Sequence, residues 1–171
     1  MKRFLAFIVC LLGVVTLSAQ TLIRGPYMTS ATSNSVIIQW QTDIATTSQV
    51  RFGLQSTNLN NTFTSVSYTT QHAMKLTGLQ PETNYFYSIG NGTQVFVSGS
   101  DLHFTTLPLA NPHYNKPVRM WTVGDIGKQT QQQINVRESF KQYVGNKPVH
   151  GWIMLGDNAY ETGSDFDYQH G

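Results

Sequence analysis

Cysteine is almost missing from this sequence: Cys10 is the only one among 171 residues. Met1-Lys2-Arg3 supplies a positive start, Phe4 to Val15 a short apolar core, and Leu17-Ser18-Ala19-Gln20 a small-residue cleavage region, the three parts of a secretory signal peptide. Residues 1–20 are therefore expected to be removed on export to a secreted or periplasmic location, and Cys10 leaves with them. No disulfide then staples the exported chain, and its stability must come from packed cores. Cys10 lies inside the apolar core without small residues before it, which argues against a lipid-modified cleavage site. A long apolar run is missing too. Phe4 to Leu17 falls short of the ~20 residues that cross a bilayer, so no stable membrane anchor is expected. Nor is there a surplus of charge, because the net +2 is that of Lys2 and Arg3 and the remainder balances. Without a basic patch, nucleic acid is not an expected partner.

About 150 residues remain after the signal, enough for one medium domain or for a small domain and part of another. From Leu22 to Thr106 the chain is poor in charge, rich in Ser, Thr and Asn, and broken into short alternating runs, the pattern of a β-sandwich. In Ser35-Val36-Ile37-Ile38-Gln39-Trp40, Val36, Ile38 and Trp40 share one face. Val50 and Phe52 repeat the device in Ser48 to Gly53, and Tyr85 and Tyr87 in Asn84 to Gly90. Each run predicts a strand with one buried face.

Leu76 to Tyr85 sharpens this reading. Leu79, Pro81, Thr83 and Tyr85 resemble the tyrosine corner of fibronectin type III domains, where the phenol reaches back to upstream backbone as the chain crosses between sheets. Tyr85 is thus expected to be structural, and Trp40 a core residue. The segment Phe104 to Pro117 carries three prolines and ends the alternation. The sandwich is drawn at 21–107 and a linker at 108–117.

Residues 118–171 have a different character. Val118 to Val123 and Val149 to Gly156 are apolar runs, the second nearly continuous, as expected of strands buried on both faces. Between them Thr130 and Gln133 form a capping-box pattern, Gly145 and Pro148 give a stop, and Val136, Phe140, Tyr143 and Val144 mark one helical face. Strand, helix and strand predict a βαβ unit with parallel strands whose C-terminal ends share one edge of the sheet. Ligands of open α/β sheets bind at that edge.

Both strands end alike. Asp125 follows the first in Thr122-Val123-Gly124-Asp125-Ile126-Gly127, and Asp157 follows the second in Leu155-Gly156-Asp157-Asn158-Ala159-Tyr160. The topology brings these carboxylates to one edge, where two of them can hold hard cations through oxygen and one can bridge a pair of ions. Gly124 and Gly156 let the backbone turn sharply before each. Tyr160, three positions after Asp157, can reach the same ion if the segment makes a helical turn. A phenol with an unperturbed pKa of ~10 is a poor ligand until a hard trivalent ion such as Fe(III) displaces its proton. Taken singly, each Gly-Asp pair reads as a turn or helix cap and Tyr160 as a packed aromatic; their agreement is what is specific.

These motifs resemble those of the purple acid phosphatases, within the calcineurin-like metallophosphoesterases. The family's GDxG stands here as Gly124-Asp125-Ile126-Gly127 and its GDxxY as Gly156-Asp157-Asn158-Ala159-Tyr160. The sandwich, with its Arg24-Gly25-Pro26-Tyr27-Met28-Thr29 opening, is similar to the domain that precedes the catalytic domain in plant-type members and bacterial relatives. The resemblance implies that Asp125 and Tyr160 bind Fe(III) and that Asp157 bridges it to a divalent ion, commonly iron, zinc or manganese. It implies hydrolysis of phosphate monoesters in acid, with the metals holding the phosphate, lowering the pKa of a bound water and stabilising an in-line displacement.

The family's later motifs, GNHE, a VxxH-type histidine and GHxH, do not occur before Gly171, and three ligands are too few for a two-metal site. The expectation is an all-β fibronectin type III-like sandwich followed by the first βαβ unit of a truncated metallophosphoesterase domain, inactive by itself. Asn158 is not the family's metal-binding asparagine. His72, His103, His113 and His150 read as structural or exposed, and His170 carries no readable role. Asn60 and Asn91 begin glycosylation sequons, which matter only in a host that glycosylates. Two other readings remain at this stage: a nucleotidase or phosphodiesterase, which would share the Gly-Asp pairs but usually lack Tyr160, and a secreted module whose sandwich binds a surface polymer or partner without catalysis.

Overall fold

The computed structural model describes residues 20–170 apart from Pro112, Tyr114 and Gln129. The expected signal peptide, save Gln20, lies outside the described residues. Among those described, no helix is long and apolar enough to cross a membrane.

The first part of the chain is a six-stranded antiparallel sheet folded over one core. Its strands are β1 (Leu22–Thr29), β2 (Ser35–Gly53), β3 (Asn61–Thr77), β4 (Asn84–Gly90), β5 (Val95–Val97) and β6 (His103–Thr105). The two runs expected as separate strands, Ser35 to Trp40 and Ser48 to Gly53, are one continuous strand, β2. Its first half pairs with β1 and the C-terminal half of β3, and its second half with β4 and the N-terminal half of β3. The irregular pairing lies between Gln41 and Ser48, where the strand crosses from one layer to the other. Alternation survives the crossing: Val36, Ile38, Trp40, Thr42, Thr46, Ser48, Val50 and Phe52 are all buried. The sequence reading missed the continuity because charge and small polar residues at Asp43 to Thr47 look like a loop.

Residues of both layers meet in a single core, Val36, Ile38 and Trp40 against Val50, Phe52, Tyr85, Tyr87 and Ile89, closed by Leu76, Leu79 and Phe104. Burying each such side chain contributes roughly 1.5–3 kcal/mol. Tyr85 acts as expected: its buried hydroxyl accepts a 3.0 Å hydrogen bond from the Gln80 N–H. Thr106, also buried, donates at 2.6 Å to the Gln80 carbonyl and accepts at 2.9 Å from the Thr83 N–H, so it seals the same corner.

The second part holds β7 (Met120–Val123), α1 (Gln131–Val144), β8 (Gly151–Met154) and the short α2 (Asp165–His170). β7 and β8 pair in parallel, Met120 opposite Gly151 and Val123 opposite Met154, with α1 between them in sequence. Thr130 caps α1 by accepting from the Gln133 N–H at 3.3 Å, and Gly145 ends it with φ +55° and a backbone bond to Lys141. The reciprocal half of the capping box is not made: among the described residues Gln133 Oε1 has no partner.

Two expectations fail here. Only Phe140 and Val144 of the expected helical face are covered, Phe140 by stacking on Trp121 at 4.2 Å between ring centroids; Val136 and Tyr143 are exposed, Tyr143 by 82%. And β8 is not buried on both faces. Trp152, Ile153, Met154 and Leu155 are 45–71% exposed, because among the described residues the sheet has two strands and α1 stacks on it through Phe140 and Trp121.

Candidate functional site

The site is built at the C-terminal ends of β7 and β8, on two loops that start in the same way. The parallel pairing runs on through the Leu155 N–H to the Val123 carbonyl at 2.9 Å, and the Asp125 N–H then meets the Gly156 carbonyl at 3.2 Å. Asp125 and Asp157 both adopt the left-handed region, with φ +55° and +51°. A residue with a Cβ disfavours that region, though aspartate tolerates it better than most, and such strain collects at functional sites. The turn before Asp157 uses its glycine, since Gly156 has φ +135°. The turn before Asp125 does not depend on Gly124 in this way: a Cβ there would make only an ordinary 3.5 Å contact with Leu155, and Asp125 itself takes the unusual angle.

The second glycine of the first loop has a clearer task. A Cβ on Gly127 would stand 2.5 Å from the Ala159 nitrogen and 2.8 Å from the Asn158 carbonyl carbon. Only a glycine lets the two loops lie backbone against backbone. There the Tyr160 N–H donates to the Gly127 carbonyl at 3.1 Å.

This contact aims the Tyr160 side chain. Its hydroxyl donates to Asp125 Oδ1 at 2.9 Å and lies within hydrogen-bonding reach of Asp157 Oδ2. The three residues singled out in the sequence therefore converge, although Tyr160 reaches its neighbours from a bend rather than the expected helical turn. Both carboxylates are open to solvent, and Tyr160 is half-buried. The hydrogen bond to Asp157, then burial, then the bond to Asp125 raise the affinity of the phenol for its proton well above the ordinary value. As the chain stands, one proton holds together three oxygen donors.

Lys128 and Glu161 were not picked out in the sequence. The Lys128 ammonium pairs with Glu161 Oε1 at 3.2 Å and lies 5.3 Å from the centre of the Tyr160 ring. A lysine after a turn reads as a solvated charge, and only the fold brings it to the ring.

The other candidates fall outside the site. His72 is in the sandwich core. The ring of His103 lies 5.8 Å from that of Phe86, and the backbone of His113 bonds to Asn111. His150 precedes β8, and its ring accepts from the Arg119 N–H at 3.0 Å, closing the opposite end of the parallel pair. His170 ends α2. Among the described residues the buried Oδ1 of Asn158 has no partner. Also among them, no group of three or more His, Cys, Asp and Glu side chains is placed to hold a metal ion.

Comparison with known proteins agrees with the sandwich. Residues 25–106 match the family model described as the purple acid phosphatase N-terminal domain. Purple acid phosphatase 15 of Arabidopsis thaliana is 30% identical over 89 residues, which are 52% of this chain and 15% of that protein. Among solved structures, PhoD superposes with a TM-score of 0.58 at 16% identity, covering 84% of this chain and 33% of its own. The purple acid phosphatase PPD1 from yellow lupin (Lupinus luteus) gives 0.56 at 16% identity, covering 88% and 32%. The two structures speak to the fold alone. This chain spans about a third of their length and 15% of the curated relative. Its similarity is thus to the purple acid phosphatase N-terminal domain, over residues 25–106.

Proposed function

We propose that this chain supplies the first ligands of a binuclear metal centre that hydrolyses phosphate monoesters in a full-length acid phosphatase. The observation that carries the proposal is the convergence of Asp125, Asp157 and Tyr160, in which one phenol bonds to carboxylates from two strand ends. All three donors are hard oxygens, which fit Fe(III) and a hard or borderline divalent ion such as iron, zinc or manganese better than a soft one. Asp125 and Tyr160 would hold the ferric ion, and Asp157 would be shared with the divalent one. When bound, the pair of metals would supply charge for the phosphate and an activated water.

The remaining roles belong to the chain. Gly127 lets the loops close, the left-handed turns at Asp125 and Asp157 aim both carboxylates at one point, and the Tyr160 N–H fixes the register of the second loop. Residues 118–171 are then the start of the catalytic domain and 108–117 its linker to the sandwich, to which Lys116 adds a 2.7 Å ion pair with Glu82. Export through the signal peptide at 1–20 is part of the same reading.

The test is spectroscopic. Fe(III) added to the chain should produce a visible tyrosinate band that Tyr160→Phe abolishes, and a band that survives this change would sink the assignment. Three ligands do not complete a two-metal site, so these 171 residues alone should not hydrolyse an aryl phosphate. Turnover that is lost on chelation would contradict this.

A further inference from the structure

We infer that Lys128 is a positioning residue for Tyr160, holding the face of its ring while Asp125 and Asp157 hold its oxygen. The inference rests on the reading of Tyr160 as a metal ligand and adds a residue outside the ligand set. Tyr160 is fixed at three points. Its backbone N–H bonds to Gly127, its hydroxyl bonds to the two carboxylates, and the Lys128 ammonium stands 5.3 Å from its ring centre. The first leaves the side-chain torsions free, and the second holds only the far end of the ring. Lys128 addresses the face.

The lysine is itself directed from both sides. It follows Gly127, whose backbone abuts Ala159, and its ammonium pairs at 3.2 Å with the carboxylate of Glu161, the residue after Tyr160. As an ion pair this contact contributes little, because both side chains are more than half exposed. Its effect is geometric: Glu161 keeps the ammonium over the ring, where the electron-rich face attracts a cation. The first loop thereby grips the tyrosine of the second, and the donor set is assembled before any cation arrives.

The experiment uses the 171-residue chain with 13C-labelled tyrosine rings and the variants Lys128→Met, Lys128→Arg and Glu161→Gln, the Tyr160 signals being identified by their loss in Tyr160→Phe. Without metal, Lys128→Met should shift the Tyr160 ring signals and leave the other tyrosines in place. Arginine should restore them, and Glu161→Gln should shift them in the same direction by less. With Fe(III), Lys128→Met should raise the concentration for half-maximal visible absorption about two- to five-fold, the factor expected of an exposed cation–π contact. Unmoved ring signals in Lys128→Met, or no restoration by arginine, would overturn the inference. If Fe(III) gives no band even in the unaltered chain, the metal assignment fails, and the metal-free signals still decide whether Lys128 positions the ring.

Discussion

Both nitrogens of the His72 ring are engaged inside the sandwich. Thr42 donates its hydroxyl proton to the Ile44 carbonyl at 2.8 Å, so at 2.9 Å from His72 Nε2 it is the acceptor; Ser48 then donates to Nδ1 at 2.8 Å. The ring stacks flat on Trp40 at 4.7 Å, and only 2% of the residue is exposed. Burial holds its pKa below the ordinary value of 6.5. The unfolded chain therefore takes up a proton that the folded chain resists, and stability present above pH 6.5 is lost as the pH falls below it. The thermal midpoint should drop between pH 7.5 and 5. His72→Gln should be less stable at pH 7.5 and show a shallower fall; an equal fall would assign the acid sensitivity to other groups. That His72 is structural or exposed rather than a ligand was legible from its place within the sandwich segment. Its partners were not, since Thr42 and Ser48 are brought together only by the irregular crossing of β2.

Among the elements, the loop glycines of the site make contrasting predictions. Gly127→Ala forces a Cβ into the backbone of Ala159 and should cost roughly 1–3 kcal/mol by overpacking, opening the loops and displacing Tyr160. Gly124→Ala meets nothing closer than 3.5 Å and should stay within about 0.5 kcal/mol. Urea unfolding followed by the fluorescence of Trp121 and Trp152, which stack at 5.2 Å on the parallel strands, compares the two. Equal losses would mean that the close approach of the loops does not decide the matter. The strand ends, the helix caps and the pairing of Asp125 with Asp157 could be read from sequence because each depends on local chemistry or on one rule of topology. The task of Gly127 could not, since it concerns a neighbour 32 positions away. The exposure of Tyr143 and of β8 was missed because an apolar pattern tells what can be buried and not what is there to cover it.

At the scale of the whole molecule, the two parts are unequally finished. All residues of the main core lie between Val36 and Phe104, whereas the parallel strands show large apolar side chains to solvent. A cavity of about 910 Å³ lies between β1 and these strands, lined by Met28, Met120, Trp152, Met154 and Tyr168. Residues 20–107 alone should therefore fold cooperatively and bind little of an apolar-surface dye, while the 171-residue chain binds several times more and associates at higher concentration. Equal dye binding by the two would show that the second part closes its own surface in solution.

The passage of β2 through both layers also bears on how the sandwich is reached from the unfolded chain. β2 and β3 are joined by a short turn in which the Asn58 N–H bonds to the Gln55 carbonyl, and their pairing runs from Phe52 opposite Asn61 to Ser35 opposite Thr77. Such a hairpin can zip outward from its turn, meeting one layer and then the other through successive local contacts, with little loop entropy lost at each step. Long-range pairing in sandwiches is ordinarily slow. Here one hairpin lays down a strand pair for both layers, leaving β1 and β4 to add to an existing edge.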